Sequence, residues 1–288
     1  TVLPSLVLGM TSFTRIIIVL SILRQAMGTQ QTPPNQVLIA IALFLSFFIM
    51  SPTLTEVYEK SADPYLNGDV SAEIALGSAS DTMKGFLVKN TRKDDLKMFA
   101  DMANLGSFET PESVPLTVLL PAFITSELKT AFQIGFLLFL PFLVIDMVIA
   151  SILMALGMMM LSPMLVSLPF KLLLFVLVDG WAMTAGSLVA TYSASERARI
   201  REFDMNVEML RMAFWQIVVI AGPILLVALA IGLFVGIIQA ATSINEATLS
   251  FVPKLVLVLT TFGLLANLML VQLTDYFSFI FDQVTQVS

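Results

Sequence analysis

The sequence contains no cysteine and no histidine. Disulfides, thiolate and imidazole metal sites and histidine-based nucleophilic catalysis are therefore excluded at the outset. Charge is scarce too: 12% of the 288 residues are charged and 57% are hydrophobic. A soluble domain of this length has too much surface to carry that balance, so the chain is expected in a membrane. A net charge of −6 argues against a generally basic, nucleic-acid-binding surface. No glycine-rich stretch leads to Lys-Ser or Lys-Thr, which removes a nucleotide-binding loop. Thr1 is not a start methionine and no basic region precedes the first apolar run. No cleavable signal peptide is read there, and the chain is expected to begin after processing or truncation. Paired carboxylates such as Asp94-Asp95 fall in a charge-rich stretch without an apolar pocket, so no catalytic residue, metal site or cofactor is predicted.

Long apolar runs stand in place of these features. Val2 to Leu23 is broken only by Arg15, and Val37 to Met50 carries no charge. Ala131 to Leu161 holds one charge, Asp146, and Met164 to Val178 holds one, Lys171. Met212 to Ile238 and Leu255 to Val271 have none. A bilayer core needs roughly 20 apolar residues per helix, so about six helices are expected, some short or broken.

Residues 1–53 read as a first apolar helical hairpin whose turn, Gly28 to Asn35, is marked by Pro33-Pro34. Arg15 and Arg24 read as topology signals that put this turn on the cytoplasmic side. Residues 54–115 change character: Leu54 to Ser113 holds 17 of the 36 charged residues, 11 of them acidic. Leu96, Phe99, Ala100 and Ala103 recur at helical spacing, and Met83, Phe86 and Leu87 form a shorter stripe. A small, acidic, water-exposed helical insert is predicted. Residues 116–193 form a second apolar hairpin, interrupted at Gly135, Pro141 and Gly157, again from Ser162-Pro163 to Leu168-Pro169, and at Asp179-Gly180-Trp181. Irregular backbone at membrane depth survives only where protein or water satisfies it, so these breaks predict a cavity or an interface. Residues 194–204 are a polar linker, and 205–288 a two-helix hairpin with a polar turn at 240–250. The fold class is an all-α membrane protein of helical hairpins with broken helices.

Three segments carry a family resemblance. Thr125 to Met160 (TSELKTAFQIGFLLFLPFLVIDMVIASILMALGMMM), Ser167 to Trp181 (SLPFKLLLFVLVDGW) and Met10 to Pro52 closely resemble the flagellar type III export-gate family FliP, over about residues 1–193. Gln239 to Lys254 (QAATSINEATLSFVPK) looks like the two-helix family FliQ, over about residues 205–288. Members of these two families are normally separate chains, so a fused pair departs from the pattern. SFTRIIIV and SINEATLSF look more like the flagellar than the virulence branch. The resemblance implies a helical multi-subunit pore complex in the bacterial inner membrane at the flagellar basal body, with part of it on the periplasmic side. Its implied partners are further copies of the chain, a FliR-like third gate component, an FlhB-like switch protein, membrane lipid and the exported unfolded flagellar proteins, with no nucleic acid and no cofactor. It also implies that much apolar surface is shared with neighbouring subunits.

Within this frame a few residues stand out. Met158, Met159 and Met160 are either core filler or a gasket that closes a pore by dewetting and yields to a passing polypeptide; the resemblance assigns the gasket role to the matching loop. Glu127 and Lys171 are isolated charges at apolar segments, expected to pair between neighbouring subunits or else to snorkel. Asp146 reads as an interhelical hydrogen bond or ion pair at a subunit contact in preference to a proton relay. Gln239, Asn245, Glu246 and Lys254 mark a turn that the resemblance places at the cytoplasmic mouth, near the switch protein. Lys254 follows Pro253 at a predicted helix start, where the helix dipole disfavours a cation, so Glu246 of a neighbour or a lipid phosphate is expected to hold it.

The leading reading is a pore-forming subunit of the flagellar export gate. A virulence secretion gate is the near alternative. A small-solute secondary transporter with Asp146 and Lys171 at a midplane site is weaker, because the two halves show no repeat.

Overall fold

The structure is a computed structural model that describes residues 8–29, 31–105, 114–158, 160–193, 202–242, 247–285 and 287. Among the described residues it is helical, without strands. The elements are α1 (Phe13–Ala26), α2 (Asn35–Val57), α3 (Ala72–Lys89), α4 (Lys93–Met102), α5 (Leu116–Ala155), α6 (Pro163–Leu177), α7 (Gly180–Ser193), α8 (Glu202–Thr242) and α9 (Ala247–Val284). Among the described residues, four helices are long and apolar enough to cross a membrane, or up to five if the bent α6–α7 pair is one span. The all-α membrane class holds, with fewer candidate spans than the apolar runs predict.

α5 is the centre of the molecule. It packs against α1, α3, α4, α6, α8 and α9, and its most apolar window is 61% buried, compared with 22% for α8 and 11% for α9. It runs for 40 residues through Pro121 and Pro141. At 1.5 Å per residue that is about 60 Å, twice a hydrocarbon core of about 30 Å. Each proline removes one hydrogen bond to a carbonyl four residues earlier, a loss that surrounding helices tolerate. The break expected at Pro141 is therefore absent.

Gly135 does not break α5 either. A Cβ at Gly135 would lie 2.4 Å from Ile22 Cδ1, so the glycine lets α1 pack closely on α5 there. The actual end of α5 is at Gly157, whose φ of +76° is the left-handed conformation glycine adopts cheaply. Met158 N–H donates to the Leu153 carbonyl at 2.9 Å and Gly157 N–H to the Met154 carbonyl at 3.0 Å, the two bonds of a Schellman cap.

Two further boundaries move. α2 continues past residue 53 through a π-helical turn, Tyr58–Ala62, to Leu66, because Pro52 sits inside it without stopping it. α6 starts at Pro163 and passes through Pro169 unbroken, and the interruption comes at Asp179, with φ of +52°. There α6 and α7 meet at a bend of 64°. A Cβ at Gly180 would lie 2.2 Å from the Phe175 ring, so only glycine fits the corner.

The charged insert has a small core of its own. Leu87, Ala100, Val114, Val118, Leu119 and Phe123 are buried together, with Phe86, Leu96 and Phe99 packed around them. The amphipathic stripes of α3 and α4 thus face the first turns of α5. The insert is docked on the long helix through this cluster.

Gly135→Ala is expected to overpack the α1–α5 contact and cost about 1–3 kcal/mol. A thermal-melting assay in detergent should show a lower midpoint, partly restored by Ile22→Val. Gly85→Ala, in open space on α3, should be neutral or stabilising by about 0.5–1 kcal/mol.

Candidate functional site

α5 carries a charged node near each end of its apolar stretch. Glu127 and Asp146 are 19 residues apart on one helix, about 28 Å at the helical rise.

At the first node, Glu127 is fully buried and meets Arg15 of α1, itself 4% exposed. Arg15 Nε donates to Glu127 Oε2 at 3.0 Å and Nη2 to Oε1 at 2.5 Å, a two-pronged pair. Nη1 donates to Thr191 Oγ1 of α7 at 3.1 Å. Tyr192 Oη donates to Glu127 Oε2 at 2.5 Å, and its ring lies 4.0 Å below the Arg15 guanidinium carbon. Two buried opposite charges are tolerable only when their remaining hydrogen-bonding capacity is met, and here three helices meet it.

At the second node, Lys171 of α6 donates to Asp146 Oδ2 at 2.6 Å and to the Ala26 carbonyl at 3.0 Å. Ser167 Oγ donates to Asp146 Oδ1 at 2.5 Å. The ammonium is buried, while the carboxylate is 29% exposed. Lys171 also serves the C-terminal end of α1, where helix carbonyls lack helical donors and favour a cation.

These contacts correct the expected pairing. Glu127 and Lys171 do not meet each other; each is satisfied within its own chain, by Arg15 and Asp146. Snorkelling is excluded by their burial. Arg15 is a buried structural cation and not a topology signal near the turn. Only Arg24 sits by the turn, donating to Asn35 Oδ1 at 2.6 Å and to the Pro33 carbonyl at 3.2 Å. The ion-pair reading of Asp146 agrees with the geometry, although its partner lies in the same chain.

A third node fastens the insert. Asp95 of α4 is 1% exposed, pairs with Lys129 of α5 and accepts from Ser126 Oγ at 2.8 Å. Arg92 N–H donates to the same Ser126 Oγ at 3.0 Å, and its guanidinium donates to Thr130 and Gln133. The sequence reading put Asp94 and Asp95 on a solvated face. Asp95 is in fact the anchor, because it follows Arg92 by three residues and faces α5 with it.

The methionine loop joins α5 to α6. Met158 is half-buried and packs on the main core, whereas Met160 is fully exposed. Met159 lies outside the described residues. Met158 and Met160 are thus not equivalent: the cap that ends α5 holds Met158 down and leaves Met160 projecting.

The polar turn of the second hairpin is shorter than expected. Gln239 lies inside α8, and Pro253 and Lys254 lie in the second turn of α9 and beyond it, not at its start. Asn245 and Glu246 lie outside the described residues. The half-buried Lys254 runs across Gly232 of α8, whose missing side chain leaves it room.

Arg15 was identifiable: it is the only charge in residues 2–23, the same signal that marked Glu127 and Lys171. The role of Tyr192 had no sequence signal, since nothing in the string places residue 192 beside residue 15.

Comparison with known proteins finds that residues 1–188 match the FliP family and residues 205–278 match bacterial export proteins, family 3. The flagellar biosynthetic protein FliP of Cereibacter sphaeroides is 73% identical over 192 residues, 67% of this chain and 64% of that protein. Its namesake in Pectobacterium carotovorum subsp. carotovorum is 55% identical over 192 residues, 67% of this chain and 74% of that protein. That of Bacillus subtilis (strain 168) is 51% identical over 191 residues, 66% of this chain and 86% of that protein. The chain therefore spans less than two thirds of the Cereibacter protein's length.

Arg15→Leu alone should strand the buried Glu127 carboxylate and cost about 3–5 kcal/mol, read as loss of folded protein after detergent extraction. Arg15→Leu with Glu127→Leu removes both charges and should recover most of that stability. A double variant no better than the single one would show that the pair does not act as a unit.

Proposed function

The chain belongs to the FliP family, and on that premise we propose that it is a pore-forming subunit of the bacterial flagellar type III export gate. In this reading it passes unfolded flagellar proteins across the inner membrane at the basal body and takes part in transport, not catalysis. The observation that carries the reading is the joining of a FliP-family unit and an export family 3 unit in one helical membrane chain. The second unit is the FliQ-like hairpin. A FliR-like component and further copies of the chain complete the pore, with part of the assembly on the periplasmic side.

The methionine loop is the gasket. Met160 is fully exposed just beyond a capped helix end, which suits a side chain meant to meet its counterparts from other copies. Methionine is apolar enough to expel water from a narrow ring and flexible enough to yield. The order of the unit boundaries follows the same plan: two apolar hairpins around the insert at 54–115, then the linker at 194–204 and the hairpin at 205–288. Gln239, Asn245, Glu246 and Lys254 mark the end of the hairpin that faces the cytoplasm and an FlhB-like switch protein.

Asp146 is structural and does not relay protons. Its carboxylate is already committed to Lys171 and Ser167, and a relay needs a proton that can leave.

Replacing Met158, Met159 and Met160 together by Ala should raise ion leakage across the membrane, and Met160→Ala alone should raise it more than Met158→Ala. Unchanged leakage in the triple variant would sink the gasket. Asp146→Asn keeps the hydrogen-bonding shape, so export driven by the proton-motive force should persist in cells; its abolition in a variant that still assembles would restore the relay.

A further inference from the structure

The FliQ-like hairpin is covalently part of this chain and lies against the FliP-like part. α8 packs along α5, and α9 packs on α5 and α7. Phe277 meets Phe142 edge-on with ring centroids 5.2 Å apart, and Phe262 meets Phe170 in the same manner at 6.3 Å. Ser187 Oγ donates to the Phe281 carbonyl at 3.3 Å. Ala213, Ala221 and Ala228 are buried to 3% exposure or less along one side of α8. Small residues along a helix face let two axes approach closely, the main source of helix association where no water is left to expel. The opposite side of α8 is also apolar but uncovered, with Trp215, Leu226 and Leu229 all about two-thirds exposed. The hairpin thus has one matched face and one free face.

α7 ends at Ser193 and α8 opens at Glu202. Even fully extended, the residues between them reach only about 30 Å, so the hairpin can dock on its own α5 or on an adjacent copy's and no farther. A short tether makes the own-chain contact intramolecular, with an effective concentration on the order of millimolar. The matched seam needs no rearrangement to exploit that advantage.

We infer that the hairpin docks on the FliP-like part of its own chain and stays there when several chains assemble. The two units already occur in equal number because they share one chain; own-chain docking joins each pair through the α8–α5 seam, and the outward face of the hairpin is what a chain offers to its surroundings. This rests on the fold and on the two family matches, and it stands whether or not the assembly conducts polypeptides.

The absence of cysteine makes the test direct in the full-length chain. Phe170→Cys and Phe262→Cys are both half-buried positions and reachable by a short bis-methanethiosulfonate. In one experiment both substitutions are placed in a chain carrying a protease site between residues 194 and 201. After cross-linking in membranes and cleavage, the product should run as one band at the mass of the whole chain, 31.5 kDa. In the other, two differently tagged chains with one substitution each are co-expressed, and no tag-to-tag cross-link should form. A strong cross-link between the two tagged chains would overturn own-chain docking, and so would a double variant that falls into halves after cleavage. Loss of export or altered leakage would bear on the pore reading and leave these bands unchanged.

Discussion

An arginine and a glutamate removed from water hold three distant parts of the chain at one point. The cost of dehydrating each ion is several kcal/mol, and it is offset only if nearly every donor and acceptor is used. Arg15 spends its guanidinium on Glu127 and Thr191, and Glu127 accepts from both Arg15 and Tyr192. Sliding α1 along α5 by a single turn, about 5.4 Å, would strand both charges in apolar surroundings. The pair therefore sets the register of α1 and α7 on α5, and no slippage of the apolar faces can satisfy it in another way.

Everything else is arranged along the helix so fixed. Its first turns take the insert, through an apolar cluster and through Asp95 with Lys129 and Ser126. Gly135 then brings α1 in closely. Lys171 braces the far end through Asp146 and also satisfies the end of α1. α5 ends two and a half turns beyond Asp146, and the methionine loop follows its cap. A loop carried on a braced helix keeps its place, as the proposed seal would require.

The chain leaves much apolar surface uncovered. Phe44, Phe47 and Phe48 on α2 are each at least 63% exposed, and the outer sides of α8 and α9 are alike in character. In a helix of 41 residues, about 60 Å long, lipid can cover only about half of such a face. The remainder fits a surface made for other subunits, in line with a gate built from several chains.

Composition and apolar run length pointed to an all-helical membrane chain, and the resemblance of whole segments such as Thr125 to Met160 and Ser167 to Trp181 pointed to the family. Isolated charges in apolar runs pointed to Glu127, Lys171 and Asp146, because a charge in such a place always needs a reason. What the string could not show was who answers whom. Arg15 is 112 residues from Glu127 and Asp146 is 25 from Lys171, and only the packing of α1 and α6 on α5 chooses those partners over a Glu127–Lys171 pair. The same holds for Gly135 and Pro141, which look like breakers locally and are overruled by the helices packed around them. Local chemistry determined which segments are helical and which residues are costly to bury; tertiary packing decided where each helix ends and which charge neutralises which, because both depend on neighbours remote in sequence.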